Sequence, residues 1–157
     1  MLTDEQFTQI AQRHMNTVYR VAMNWLKDPE TAKDVTQNAL LQLYRTEKEF
    51  ESDSHVKNWL IRVTVNECKK VFRTPWHRME DIDDYSEKLS AEHTSQNELL
   101  DSVMKLDRKY RVPIYLYYYE EYSIKEIASI LAIPENTVKT RLARAKKLLR
   151  AYLEDSI

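Results

Sequence analysis

The chain of 157 residues contains no glycine. The phosphate-cradling loop of nucleotide hydrolases and the dinucleotide fingerprint both require backbone positions that only glycine tolerates, so both are excluded. Tight hairpin turns lose their usual residues too, and only four prolines are present. The abundant Leu, Lys, Glu, Gln and Ala all favour helix. An all-α protein is expected. With 43% hydrophobic and 31% charged residues the composition is globular, and the length suits one ordinary domain or two small ones.

The single cysteine, Cys68, has no partner for an internal disulfide, and no charged, apolar and small-residue leader opens the sequence. A cytoplasmic protein is expected. Lys, Arg or Glu interrupts every hydrophobic segment before the roughly 20 apolar residues of a membrane span, so no membrane insertion is expected. His14, His55, His77 and His93, taken with Cys68, show no metal-ligand spacing, and no set of groups converges for catalysis. No metal, cofactor or enzymatic role is expected.

Net charge is −1, but the charge is segregated. Residues 1–74 carry 11 basic and 10 acidic side chains, residues 75–97 carry 2 and 6, and residues 98–157 carry 11 and 9. Within the last part, residues 139–150 hold six basic residues and no acid. Thr3 and Gln6 form a capping-box pattern ahead of apolar residues at helical spacing, which predicts one or two helices over 4–27. Asp28 and Pro29 read as N-cap and first-turn proline of a second helix reaching about Thr46. A polar loop containing Ser52, Asp53 and Ser54 precedes a third helix, whose apolar residues are Val56, Trp59, Leu60 and Val63. From Thr74 to about Thr94 periodicity fails and acids gather, and these about 21 residues could stretch to at most roughly 70 Å, about two turns of B-DNA; residues 75–97 read as a flexible acidic linker. Helical patterns resume at Leu99 and again at Val112. The tyrosines Tyr115, Tyr117, Tyr118, Tyr119 and Tyr122 suit either a base-stacking platform or, as such clusters more often do, core packing.

Residues 123–150 carry the most specific signal. Ser123 and Glu126 form a second capping box, and Ile124, Ile127, Ala128 and Leu131 make a short amphipathic helix. After a break at Ala132 and Ile133, Pro134 suits the first turn of a helix whose buried stripe is Val138, Leu142, Ala145 and Leu149. Lys139, Thr140, Ala143, Arg144, Lys147 and Arg150 are left outward. A basic second helix after a short turn suits the major groove: N-terminal outward residues reach base edges and cations further along meet phosphates. The alternative is a solvated basic face with no ligand.

The strings from Leu106 to Ile114, Ser123 to Leu131 and Pro134 to Ala145 resemble the promoter-binding domain of bacterial extracytoplasmic-function sigma factors. Upstream, Asp34-Val-Thr-Gln-Asn-Ala-Leu-Leu-Gln-Leu-Tyr-Arg and Asn58-Trp-Leu-Ile-Arg-Val-Thr-Val-Asn resemble the N-terminal domain of the same family. The two resemblances stand in the family's order and cover nearly the whole chain. They imply two small helical domains: a region 2-like domain at 1–74, a linker at 75–97 and a region 4-like helix-turn-helix domain at 98–157. The implied partners are core RNA polymerase, promoter DNA and an anti-sigma factor.

By the same resemblance, the helix over 29–46 would dock on the polymerase clamp through Asp34, Gln37, Asn38 and Arg45 around an apolar face that includes Leu41. The loop over 50–56 would hold a flipped promoter base, with Ser52, Asp53 and Ser54 joined by the Asn66 amide as hydrogen-bonding groups. Arg62, Asn66, Lys69 and Lys70 would trap the non-template strand. Trp59 would stack at the melted junction or, alternatively, anchor its helix in the core. Lys139, Thr140, Ala143 and Arg144 would face the minus-35 element, with Arg141 and Lys147 on phosphates. Many relatives have glycine at the positions of Ala132 and Asn136, and since alanine tolerates a left-handed backbone poorly, the turn is expected to differ slightly. A glutamate frequent in relatives is Asn38 here. The rival reading is a stand-alone helix-turn-helix regulator, which binds symmetric operators as a dimer, whereas two dissimilar domains on one tether suit an asymmetric site.

Overall fold

The computed structural model describes residues 1–73 and 98–155. Among these the secondary structure is helix throughout, in two compact units, Met1–Met79 and Glu80–Ile157. The expected linker over 75–97 lies outside the described residues.

The described residues of the first unit form three helices. The whole 4–27 segment is one helix, α1 (Asp4–Leu26), opened by both bonds of the Thr3 and Gln6 capping box. Helix α2 (Pro29–Arg45) has Asp28 as N-cap, accepting from the Thr31 N–H, with Pro29 directly after it. Helix α3 (Asp53–Val71) starts earlier than expected. Ser52 is its N-cap, accepting from the His55 N–H at 3.1 Å, and Asp53 and Ser54 belong to its first turn. The expected polar loop is therefore helical from Asp53 on, because Ser and Asp satisfy orphan N–H groups at a helix start as readily as they make turns. The three helices pack on one another through Val18, Val21 and Ala22 of α1, Ala32, Val35, Ala39 and Leu43 of α2, and Val56, Leu60, Ile61, Val65 and Cys68 of α3, all buried. Full burial of each large aliphatic side chain contributes roughly 1.5–3 kcal/mol.

The described residues of the second unit form four helices: α4 (Glu98–Met104), α5 (Arg108–Tyr118), α6 (Ile124–Leu131) and α7 (Glu135–Asp155). Helix α7 packs against the other three. Its stripe of Val138, Leu142, Ala145 and Leu149 is buried as the spacing predicts. Ser123 and Glu126 form both capping-box bonds of α6. Pro134 lies one position earlier than expected: it precedes α7, and its carbonyl accepts from the N–H groups of Thr137 and Val138. The tyrosine cluster divides. Tyr115 and Tyr122 are buried, Tyr117 is half-buried, and Tyr118 and Tyr119 are exposed.

Without glycine, the left-handed positions among the described residues fall to residues with a Cβ: Lys27 (φ 59°), Glu121 (φ 60°) and Ala132 (φ 56°). The turn between α6 and α7 was expected to depart from the glycine geometry, and instead Ala132 adopts it, at φ 56° and ψ 48°. The Ala128 carbonyl accepts from the N–H groups of both Ala132 and Ile133, which closes α6 and sends the chain into α7. The Cβ clash of such a residue costs roughly 1–2 kcal/mol. Ala132→Gly is expected to stabilise the second unit by about 0.5–1 kcal/mol, the relief of strain being partly offset by a looser unfolded chain. Thermal unfolding of the full chain checks this; an unchanged or lower midpoint for the unit would show that the turn is unstrained.

Candidate nucleic-acid interfaces

On α7 the buried stripe dictates what faces out. Lys139, Thr140, Ala143, Arg144, Lys147 and Arg150 are exposed and Arg141 is half-buried. Helical spacing divides the outward residues into two strips rather than one face. Asn136, Thr140, Ala143, Arg144 and Lys147 form the first, with Thr140 held back on its own helix by a 3.0 Å bond to the Asn136 carbonyl. A groove beside it is walled by Lys109 and Tyr110 of α5. Lys139, Lys146 and Arg150 form the second strip, along a groove whose other side is Tyr117 and Ile124. The Lys146 ammonium lies 6.0 Å from the Tyr117 ring centre and 5.5 Å from that of Tyr118. Attraction to ring faces of this kind contributes about 0.5–1 kcal/mol at exposed sites.

Tyr110 and Lys146 were not singled out from the sequence. Arg144 donates from Nη1 to the Tyr110 hydroxyl at 3.4 Å, and the Lys109 ammonium lies 5.1 Å from the Tyr110 ring centre. The Arg144 hydrogen bond, helped by the charges of Lys109 and Arg144, outweighs the opposing effect of desolvation and holds the Tyr110 phenol below its ordinary pKa.

On α3, Trp59, Arg62, Asn66, Lys69 and Lys70 recur at i, i+3, i+7, i+10 and i+11, so they share one side of the helix. Arg62, Asn66 and Lys70 are exposed, while Lys69 and Trp59 are half-buried. Trp59 meets Phe50 edge-on at 5.4 Å, and Phe50 meets His55 in the same way at 5.3 Å. Its ring is thus neither sealed in the core nor free. Lys70 pairs with Glu67 at 3.1 Å, and Glu67 also accepts from Gln42 of α2 at 2.7 Å.

The expected grouping of Ser52, Asp53 and Ser54 with Asn66 is not formed. All four lie on the same helix or its cap, and Asn66 is roughly 18–21 Å further along the axis at about 1.5 Å per residue. The hollow beside residues 48–53 is lined instead by Gln6, Gln9, Ile10 and Arg13 of α1. Asp53 is already engaged there: its Oδ1 accepts from Arg13 Nη1 at 2.6 Å and lies 2.8 Å from Nε2 of the buried His14. Partial burial raises the Asp53 pKa, but the hydrogen bonds and charges of His14 and Arg13 outweigh it and leave the carboxyl below its ordinary value.

On α2, Asp34, Gln37, Asn38, Leu41 and Arg45 share the side opposite the buried residues and all are exposed. Leu41 and Tyr44 are each 43% exposed, an apolar centre ringed by polar groups. Phe7 of α1 supports Tyr44 edge-on at 5.2 Å.

Family models for Sigma-70 region 2 and Sigma-70 region 4 match residues 10–78 and 96–149, respectively. The chain is 32% identical over 152 residues to the ECF RNA polymerase sigma factor SigM of Mycobacterium tuberculosis, covering 94% of this chain and 76% of that protein. This chain belongs to the extracytoplasmic-function sigma factor family. RNA polymerase sigma factor SigV of Bacillus subtilis is 27% identical over 144 residues, 89% of this chain and 86% of that one. The fold is shared with the sigma factor RpoE of Bartonella quintana, solved in complex with the anti-sigma factor NepR. Its TM-score is 0.74 at 20% identity, covering 94% of this chain and 96% of that one. CnrH, solved with the cytosolic domain of CnrY, gives a TM-score of 0.72 at 21% identity over 99% and 92%.

In this sigma factor the region 2 match takes in most of α1 with all of α2 and α3, and the region 4 match takes in α4, α5, α6 and most of α7. No described helix is long and apolar enough to cross a membrane. Among the described residues no group of three His, Cys, Asp or Glu side chains is placed to hold a metal ion.

Because the Asp53 pKa is depressed on folding, the link to His14 and Arg13 stabilises the first unit above about pH 4 and is lost as the pH falls below it. Asp53→Asn is expected to lower stability at pH 7 by about 1 kcal/mol, the carboxylate being half exposed. It is also expected to flatten the acid limb of the stability profile. Denaturant titrations from pH 3 to 7 measure both, and an unaltered acid limb would mean that the link contributes nothing.

Proposed function

We propose that the chain directs core RNA polymerase to specific promoters and initiates transcription there, acting in the cytoplasm as an initiation factor with no catalytic step of its own. The observation that carries this reading is the occurrence of region 2 and region 4, in that order, on one chain whose two units each present an outward face of suitable chemistry.

Residues 1–74 form the unit that docks on the polymerase and opens the promoter. The α2 side bearing Asp34, Gln37, Asn38, Leu41 and Arg45 meets the clamp: Leu41 and Tyr44 supply apolar area to bury and the polar ring sets orientation. The α3 side of Trp59, Arg62, Asn66, Lys69 and Lys70 takes the non-template strand, with cations for phosphates and a half-exposed indole for stacking on a base. A flipped base would enter beside Ser52 and Ser54, close to the hollow lined by α1, with Asp53 committed to holding the helix start.

Residues 98–157 read the upstream element. Arg144 and Lys139 supply base or phosphate contacts, Thr140 and Ala143 are short enough for close approach to base edges, and Arg141 and Lys147 meet phosphates. The linker over 75–97 lets the two units reach separate elements. RpoE of Bartonella quintana is held by an anti-sigma factor, and a partner of that class is proposed for this chain.

Run-off transcription with purified core polymerase tests the proposal. Core plus this chain is expected to start transcripts at promoters that core alone ignores. Specific DNA binding by the chain alone, with no polymerase dependence, would instead favour an operator-binding regulator. Arg144→Ala is expected to cost the holoenzyme about 1–3 kcal/mol of discrimination at one upstream-element position. Base-by-base substitution of that element reads this directly, and unchanged selectivity would remove Arg144 from base recognition.

A further inference from the structure

The Arg144 side chain is long and exposed, yet it is bonded to a residue 34 positions earlier on another helix. We propose that Tyr110 is a positioning residue for promoter recognition: its hydroxyl holds the Arg144 guanidinium above the recognition helix in the orientation that reads a base. This rests on the reading that Arg144 contacts the upstream element.

A free arginine carries substantial rotamer entropy, part of which it loses when it grips a base edge. Tyr110 removes part of that freedom before DNA arrives, as pre-organisation does generally. The stereochemistry permits both tasks. The bond to Tyr110 uses Nη1, so the Nε and Nη2 donors remain as a parallel fork, the geometry that matches the O6 and N7 acceptors of guanine. Tyr110 is itself fixed. It leaves the first turn of α5, is half-buried, and its N–H donates to the Asp107 carbonyl at 2.9 Å. The Lys109 ammonium lies 5.1 Å from the ring centre and keeps this side of the groove cationic. The phenol accepts from Arg144 through its oxygen, which leaves the guanidinium its remaining donors.

The groove has Asn136, Thr137 and Thr140 along α7, so the Tyr110 and Arg144 pair stands over the N-terminal half of the recognition helix, where base contacts are made. A packing role alone does not account for the pair. The hydroxyl reaches past the ring to a solvent-exposed cation, and removing it leaves no cavity.

The test compares wild type, Tyr110→Phe, Arg144→Ala and the double variant as holoenzymes. Promoter-complex formation is measured on templates carrying each of the four bases at every position of the upstream element, and at several salt concentrations. Tyr110→Phe is expected to reduce discrimination about three- to tenfold, at the same position as Arg144→Ala and at no other. It should add nothing in the Arg144→Ala background and leave the salt dependence unchanged, since no charge is removed. Discrimination equal to wild type, additive losses in the double variant, or a uniform loss at every sequence would overturn the proposal. Thermal unfolding of each full chain verifies that Tyr110→Phe is folded. If Arg144→Ala shows no position-specific loss, the base-reading assignment itself fails. If Arg144→Ala shows that loss and Tyr110→Phe does not, only the positioning role fails.

Discussion

Burial of four residues on one side of α7 governs the second unit. Val138, Leu142, Ala145 and Leu149 are each at most 7% exposed, and they lock the rotation of a helix that must also display cations. A rotation by one residue, about 100°, would drive arginine and lysine into the contact with α4, α5 and α6 and expose the aliphatic stripe, at a cost of several kcal/mol. The direction in which Thr140, Ala143 and Arg144 point is thus set by side chains that never meet a ligand. The turn at Ala132 sets the other coordinate, the angle at which α7 leaves α6.

The first unit divides its surface by the same means. Once α1, α2 and α3 bury their apolar sides against one another, α2 retains an outward strip with an apolar centre, and α3 retains one with three cations, an amide and an indole. The strips are joined by Gln42 of α2, which bonds Glu67 of α3, which in turn pairs with Lys70. The start of α3 is tied to α1 through Asp53.

What was legible in the sequence is what local chemistry determines. Thr3 with Gln6, Asp28 with Pro29 and Ser123 with Glu126 mark helix starts because their partners are within three residues, and the α7 stripe shows because burial imposes its period. Contacts between distant parts of the chain left no such trace. The partners of Asp53 are some 40 residues away and that of Arg144 is 34 away, so nothing near either residue signals them. Ser52, Asp53 and Ser54 misled because the same side chains serve turns and helix caps. Lys139 and Arg144 looked alike as outward cations, and only the neighbouring α5 assigns one to the tyrosine side and the other to Tyr110.

Lys27, Glu121 and Ala132 show that a polypeptide with no glycine still needs the backbone shapes glycine usually supplies. Each such residue raises the energy of the native state, but each also narrows the denatured ensemble, since a residue with a Cβ wanders over less conformational space than glycine, a difference of about 0.4–1 kcal/mol. The chain therefore trades local tension in its folded corners for a stiffer disordered form, which has less freedom to surrender when it collapses.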